Sequence, residues 1–188
     1  MDNAHPEFLI EVASEKHIHF ASIISRTMEE SARARGTGIS KRTPETIAGY
    51  MKEGNALVAM DGEGRWAGFC YLAVWENGLF VSNSGLIVDP SFRACGLASK
   101  LKYALLQLSR KKYPLASVVG ITTSVAVMKI NTALGFHPTV FSEMPKDKLF
   151  WKGCQSCVNH DILKRTDGKY CLCTAMRLDS QRITAVVH

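Results

Sequence analysis

The chain has 188 residues, 46% of them hydrophobic, and a formal net charge of +6. This length and apolar content suit one compact domain with a real core and exclude a low-complexity or repetitive protein. No apolar run approaches the ~20 residues of a membrane-spanning helix, and the acidic start lacks a secretion-signal pattern, so we expect a soluble, cytoplasmic protein with no membrane partner.

The predicted elements alternate between strands and helices along the chain. They are a strand at 8–14, helices at 15–36 and 43–54, a hairpin at 55–78, a strand at 79–89, a helix at 99–113, a strand at 115–124, a helix at 126–136, and closing strands at 137–145 and 169–179. Thr43 followed by Pro44 is typical of a helix start, and Asp61–Gly64 of a tight turn.

This order of elements limits the architecture. A strand–helix–strand–helix centre requires a partly parallel sheet covered by helices. We therefore expect an α/β (or α+β) fold with a mixed central sheet of about six to seven strands flanked by helices. One domain would span residues 1–179, including a Cys-rich element at 151–173, and residues 180–188 would form a tail.

The positive charge is spread along the chain rather than gathered in a stripe interleaved with aromatic residues. We therefore expect no nucleic-acid partner, and a phosphorylated small molecule fits the charge better. The sequence leaves open whether the protein forms a homodimer.

The turn between the strand at 79–89 and the helix at 99–113 carries Arg93, Gly96 and Ala98. A helix N-terminus presents unpaired N–H groups and partial positive charge, so it attracts phosphate. Small residues keep that approach open, and the arginine adds a planar charged donor. The pattern indicates a diphosphate-binding loop; the alternative is an ordinary strand-to-helix connection.

The stretch "GLIVDPSFRACGLASKLKYALL" resembles the acyl-CoA signature of the GNAT superfamily of N-acyltransferases, and "KINTALGF" resembles a later helix of that fold. The resemblance implies a sheet that splays at its two central strands to admit the pantetheine arm of acetyl-CoA. It also implies an enzyme that moves an acyl group from coenzyme A (CoA) to an amine. The residues implied in cofactor binding are Ile87 and Val88 beside the pantetheine, Arg93, Ala94, Cys95, Gly96, Leu97, Ala98 and Ser99 around the diphosphate, and Asn131 on the later helix.

A narrower resemblance covers the last quarter of the chain. The stretch from Glu143 to Cys173 is similar to the tail of the short, single-domain bacterial N-acetylglutamate synthases, and "ISKRTPETI" is similar to a segment near their N-terminus. The shared residues are Arg42, Glu143, Pro145, Lys148, Trp151, Cys154 and Cys157. This narrower resemblance implies acetyl transfer to the amino group of an amino acid, glutamate or a related amine-carboxylate, as in arginine biosynthesis. Succinyl-CoA as donor, or another small amine as acceptor, stays open.

Three residues are candidates for the chemistry. Asn131 stands where many GNAT enzymes have a tyrosine that serves the leaving thiolate, and asparagine can donate a hydrogen bond but no proton. Either the thiolate is stabilised as such, or another group protonates it; the alternative for Asn131 is an ordinary helix-surface residue near a C-cap. Glu76 is a candidate base, with solvent exposure as the alternative. Ser84, with Ser82, stands where the short glutamate enzymes have ionic residues, and could pass a proton through water.

Basic residues are the candidates for binding the carboxylate of an amino-acid acceptor. Arg42 is favoured, because its donor fork matches a carboxylate, and Lys41 and Lys148 are further candidates with a solvated surface as the alternative. Four cysteines, Cys154, Cys157, Cys171 and Cys173, could bind a structural zinc ion, with His160 as a substitute ligand; packed, reduced thiols are the alternative. A zinc-stabilised binding module without catalysis is thus a second functional hypothesis.

Overall fold

The computed structural model describes residues 7–34, 36 and 41–180, which include a single seven-stranded sheet. The strands are β1 (Leu9–Val12), β2 (Ala56–Met60), β3 (Trp66–Trp75), β4 (Phe80–Val88), β5 (Ser117–Thr122), β6 (His137–Thr139) and β7 (Thr174–Leu178). Their order is β1-β2-β3-β4-β5-β7-β6. Only β4 and β5 pair in parallel among these strands; the other neighbours are antiparallel. The mixed sheet confirms the predicted fold class.

Six helices accompany the described part of the sheet. They are α1 (Ala21–Ala34), α2 (Pro44–Lys52), α3 (Leu97–Lys112), α4 (Val125–Ala133), α5 (Lys148–Lys152) and α6 (His160–Arg165). α2 starts as its sequence predicts, since the Thr43 hydroxyl accepts a hydrogen bond from the Thr46 N–H at 3.3 Å. In the described ranges, no helix has the length and hydropathy needed to cross a bilayer.

β3 is buried on both faces, and its alternating side chains divide the main core in two. Phe69 and Tyr71 pack towards α1 and α2, whereas Cys70 and Leu72 pack towards α3. A strand near the middle of a sheet that helices cover on both sides reads as a nearly continuous apolar run, as "WAGFCYLAVW" does.

The connection between β6 and β7 differs from the prediction. The strand expected at 137–145 covers only three residues, and the strand expected at 169–179 begins at Thr174. The intervening chain forms α5 and α6, whose five and six residues are too few to show a helical period in the sequence. Of the predicted tail, residues 181–188 lie outside the described residues.

Candidate active site

The two central strands separate over half of their length. β4 and β5 pair only where residues 80–82 lie beside 117–119. Beyond that point β5 continues to Thr122 with β7 as the neighbour on its other edge, and residues 83–88 of β4 have β3 as their only neighbouring strand among the described residues. The edge of β4 that faces this gap can therefore bond an extended ligand through its backbone. The gap confirms the predicted splay.

A β-bulge shapes the open half of β4. Phe69 pairs with Ile87 but Tyr71 pairs with Ser84, so β4 carries one extra residue between these two pairs. Gly85 lies there with φ +64°, in the left-handed region that favours glycine. A bulge bends its strand and increases the local twist. The glycine is thus the local cause of the turn of β4 away from β5.

The loop that enters α3 has two residues in left-handed conformation, Ala94 at φ +65° and Gly96 at φ +79°. Successive N–H groups in such a loop can form a concave anion site. Gly96 is the residue before the helix, and a Cβ built on it would meet nothing within 4 Å. α3 has no acidic residue in its first turn, so its N-terminal partial charge is not neutralised there.

Two side chains of this loop bind the protein itself. Arg93 donates from Nη2 to the Ser31 hydroxyl at 2.8 Å and from Nε to the Val88 carbonyl at 3.4 Å, which ties the loop to α1 and to the end of β4. The Cys95 thiol donates to the Phe92 carbonyl at 2.7 Å. The Cys95 thiol is therefore engaged within the loop, and the expected role of this residue in cofactor binding stays a prediction.

Ile87 and Val88 are buried and pack into opposite halves of the core, Ile87 beside α1 and α2 and Val88 beside α3. Their side chains hold the strand in place. Only their backbone groups can then face the gap, which is what pairing with a pantetheine arm requires.

Two buried amides near the closed end of the gap have unpaired atoms. Asn83 accepts a hydrogen bond from the Ser109 hydroxyl at 2.9 Å, but its Nδ2 has no hydrogen-bond partner in the described chain. Asn131 is 1% exposed and donates to the Met176 sulfur at 3.5 Å, and its Oδ1 is likewise unpaired there. Both lie near Gly120, where an added Cβ would be 3.7 Å from the Asn83 carbonyl and 3.9 Å from Asn131 Nδ2. Buried polar atoms without partners point to a polar ligand.

Ser84 belongs to a short chain of polar groups on the α1 and α2 side of β4. Its hydroxyl donates to Ser82 at 3.3 Å, and the Trp75 indole donates to the same Ser82 oxygen at 2.9 Å. Glu76 is less available, because its carboxylate accepts a hydrogen bond from the Lys146 N–H. The expected roles of Ser84 and Glu76 in proton transfer stay predictions.

Arg42 lies against a pair of tyrosines beside the bulge. Its Nε donates to the Tyr71 hydroxyl at 2.5 Å, and the Tyr71 ring stacks on Tyr50 with centroids 4.0 Å apart. Burial and the neighbouring Tyr71 raise the pKa of Tyr50 to about 12. Because Tyr71 is the register partner of Ser84, Arg42 is brought near the serine chain on one face of the sheet. This arrangement can receive a carboxylate close to the gap.

The two lysine candidates lie elsewhere. Lys41 is 71% exposed and its ammonium is 3.9 Å from the Glu29 carboxylate. Lys148 is exposed at the start of α5. Both lysines are therefore on the surface, and their roles in substrate binding stay predictions.

The four C-terminal cysteines are unoxidised and half-buried, and they line one small cavity together with His160. Burial first, and then the other thiols, raise the pKa of Cys154 to about 11 and that of Cys173 to about 12. Nevertheless, the described residues contain no group of three or more histidine, cysteine or acidic side chains placed to hold a metal ion. The described residues thus gather the four thiols without showing a zinc site, and the expected zinc ion stays a prediction.

Lys102 is the most unusual group near the gap. It is 2% exposed in the second turn of α3, with its ammonium 5.6 Å from the centre of the Phe136 ring. Burial lowers its pKa to about 8, and the same effect raises the pKa of buried Cys70 to about 12. Sequence reasoning assigned no role to Lys102, although a lysine four residues before apolar Leu106, on a helix face that must be buried, was a usable signal.

No family model and no curated protein matches the sequence. Solved structures do match. N-acetylglutamate synthase from Neisseria gonorrhoeae, complexed with CoA and N-acetyl-glutamate, superposes with a TM-score of 0.65 at 14% identity over 94% of this chain, which spans only 36% of that enzyme.

Two further matches cover both chains almost fully. A Mycobacterium tuberculosis protein in complex with CoA has a TM-score of 0.65 at 16% identity, over 91% of this chain and 98% of that one. The ribosomal-protein-S18-alanine N-acetyltransferase from Escherichia coli has a TM-score of 0.61 at 16% identity, over 97% and 99%. The Neisseria and Escherichia enzymes differ in acceptor by their names, and at such identities the likeness establishes the fold alone: the chain has the GNAT acetyltransferase fold.

Proposed function

We propose that this protein is an acyl-CoA-dependent N-acetyltransferase that binds acetyl-CoA in the gap between β4 and β5. The observation that carries the proposal is the unpaired edge of β4 at 83–88, which leads directly to the loop and N-terminus of α3. An extended amide-containing arm can add to the strand edge while its diphosphate meets the helix start.

The diphosphate would lie on the backbone N–H groups of residues 94–99. The pantetheine arm would pair with the backbone of Ile87 and Val88. The unpaired Asn83 Nδ2 and Asn131 Oδ1 are a buried donor and a buried acceptor, which suits the amides of such an arm. Asn131 would then bind the cofactor and take no part as an acid.

The reaction would be attack of a neutral amine on the acyl carbon of the thioester. Negative charge would develop on the thioester oxygen, where a backbone N–H of β4 near Val88 can stabilise it. The amine would approach from the face that carries Ser84, and the hydroxyls of Ser84 and Ser82 would guide its proton to water.

The acceptor would be an amino acid held by its carboxylate. Arg42 is fixed by the Tyr71 hydroxyl on the amine side of the gap, and a guanidinium can bind a carboxylate through two parallel hydrogen bonds. Glutamate is the first candidate, because the C-terminal segment is similar to that of glutamate enzymes. Succinyl-CoA as donor and another small amine as acceptor are the alternatives within the same chemistry.

A screen of amino acids against acetyl-CoA and succinyl-CoA, with free-thiol release as readout, tests this function. We expect release with acetyl-CoA and an α-amino acid, and stabilisation by CoA in a melting assay. Arg42→Ala should raise the KM for the amino acid with little change in CoA affinity, whereas Arg33→Ala, at an exposed arginine on α1, should change neither. A protein that neither binds CoA nor releases thiol is not this enzyme.

The gathering of four thiols keeps a zinc-stabilised binding module as a second candidate. It predicts one zinc ion per purified chain and a large loss of melting temperature on chelation, with no response to CoA. A protein that CoA stabilises and that contains no zinc would be the acetyltransferase and not the binding module.

A further inference from the structure

In the proposed acetyltransferase, position 131 supplies no acid for the leaving group, since an asparagine there has no proton to give. The CoA thiolate leaves more readily when a proton or a positive charge reaches its sulfur, because the pKa of an alkyl thiol, about 8.5, lies above neutral pH. A buried side chain on the cofactor side of the gap, able to exist as a cation near neutral pH, would supply that need.

Two contacts fix where α3 crosses β4. Near its start, Leu101 lies against Gly68 of β3, because a Cβ added to that glycine would be 2.7 Å from Leu101 Cδ1. Gly68 is in turn the register partner of Val88, at the end of β4. Farther along, the Ser109 hydroxyl bonds Asn83. α3 therefore runs from the open end of the gap towards its closed end.

Lys102 lies on the same helix face as Ser109, seven residues before it. Seven residues of α-helix advance about 10 Å, and three residues of β-strand advance about as far. This places Lys102 about three residues from Asn83 along β4, level with Leu86, where the strand has already left β5.

The surroundings of Lys102 put its ammonium over this gap. On one side it interacts electrostatically with Cys70 of β3. On the other it faces Phe136, whose own N–H donates to the Asn131 carbonyl at 3.0 Å. β3 and Phe136 flank β4 and the gap, so the charged head lies between them.

No carboxylate stabilises this charge within the described chain. The ammonium lies over the Phe136 ring and near the Cys70 thiol, and the face of one ring offsets only part of the cost of burying a charge. A buried ammonium without a carboxylate is costly to maintain. Such a group in a cleft is a candidate for function, because the cost is recovered when a negative charge arrives beside it.

We propose that the Lys102 ammonium is the acid that protonates the CoA thiolate as it leaves, an inference that rests on the proposed acetyltransferase function. The acceptor nitrogen forms a bond to the acyl carbon, and the C–S bond breaks with its electron pair passing to sulfur. One ammonium proton of Lys102 moves to that sulfur, which gives free CoA and leaves the Lys102 side chain as a neutral amine. The proton lost by the acceptor nitrogen passes to water, and solvent returns one to Lys102.

The lowered pKa of Lys102 suits this task, since an acid works best when its pKa lies near the working pH. The titratable group that faces it is Cys70, whose pKa of about 12 keeps the thiol neutral below pH 10. Phe136 and Asn83, from the other neighbouring segments, carry no charge. The kcat of the wild type should therefore fall above pH 8, as Lys102 loses its proton.

Replacement by methionine tests the proposal. Lys102→Met keeps the length of the side chain and removes the proton, so kcat with acetyl-CoA and the best amino acid of the screen should fall about 10²-fold or more. The Kd for CoA should change much less. Lys111→Met, the same change at an exposed position of α3, should leave kcat unaltered.

The decisive comparison uses a donor whose thiol needs no acid. With S-acetyl-thionitrobenzoate, whose thiolate leaves unaided, Lys102→Met should keep most of the wild-type kcat/KM, and the fall in rate above pH 8 should be absent. Lys102→Gln, which keeps a polar head without an acidic proton, is the second variant should the first fail to fold.

Retention of kcat by these variants with acetyl-CoA, or an equal loss with both donors, would overturn the assignment of Lys102 as the acid. A wild-type protein that releases no thiol from acetyl-CoA with any amine would instead contradict the proposed function itself, so the two failures are distinguishable.

Discussion

The ring of Tyr71 occupies the space that a side chain on Gly85 would need: a Cβ there would lie 2.3 Å from Tyr71 Cε1. The glycine of the β4 bulge and the tyrosine that holds Arg42 are therefore parts of one arrangement. It links the shape of the gap to the position of the arginine proposed to bind the acceptor.

This contact predicts that Gly85→Ala is costly. The new methyl group meets the ring, and alanine at φ +64° is strained, which together should lower the free energy of unfolding by about 2–5 kcal/mol. Urea denaturation measures the change. Gly64→Ala is the matched control, with φ +76° but open space around the Cβ, and should lose only about 1–2 kcal/mol. Equal losses in the two variants would contradict the steric explanation.

Gly96→Val should abolish CoA binding while the protein stays folded. The position is open in the free protein, so the side chain meets no protein atom, but it would stand over the N–H groups at the start of α3. Calorimetric titration should show CoA affinity reduced more than about tenfold, a loss of about 1.4 kcal/mol or more. Gly168→Val, with a similar φ of +74° and equally open space, should keep full affinity. Unchanged binding in Gly96→Val would refute the diphosphate assignment.

Tyr71→Phe should weaken acceptor binding without removing the arginine. The hydrogen bond that orients Arg42 is lost, and a net value of about 0.5–1.5 kcal/mol corresponds to a KM for the amino acid raised about twofold to tenfold. Steady-state kinetics at saturating acetyl-CoA measure it. Tyr103→Phe, at a tyrosine 57% exposed on α3, provides the comparison and should match the wild type. If both variants have wild-type KM, the Tyr71 hydroxyl does not orient a substrate ligand.

Lys102→Met should stabilise the protein below pH 8. The pKa of Lys102 is about 8 when folded, against an ordinary value of 10.5, so the unfolded chain binds more protons between these values and wild-type stability rises with pH there. This difference between the folded and unfolded pKa values corresponds to a free energy of unfolding about 3 kcal/mol higher for the variant at pH 7. The advantage should shrink as pH approaches 10.5. Thermal or urea unfolding at pH 7 and pH 10 tests it, and a variant less stable than wild type at pH 7 would show that burial does not penalise the charge.

The thiols of Cys154 and Cys173 should react slowly with iodoacetamide at pH 7.5. Their pKa values of about 11 and about 12 leave little thiolate, which is the reactive form. Peptide mass spectrometry should show alkylation more than about tenfold slower than for a free thiol of pKa ~8.5. The same cysteines in urea should react at the ordinary rate. Fast reaction in the folded protein would mean that the buried cluster opens.

Patterns along the chain predicted most of the local structure. Thr43 and Pro44 start α2 as expected, and Arg93, Gly96 and Ala98 lie in a loop that enters a helix. Such features depend on capping, backbone conformation and the spacing of apolar residues within a few positions, and these are properties of short segments. The sequence by itself therefore determined most of the strands, the main helices and the loop proposed to bind the diphosphate.

The site on either side of that loop was decided only by tertiary structure. The extent of the gap between β4 and β5, the pairing of Arg42 with Tyr71, and the burial of Lys102 each join residues that are far apart in the chain. Nothing in a short segment encodes which distant side chain will lie opposite it, because that depends on strand register and on how helices pack across the sheet. The residues on the amine side of the gap, and the buried ammonium of Lys102, come together only once the sheet is assembled.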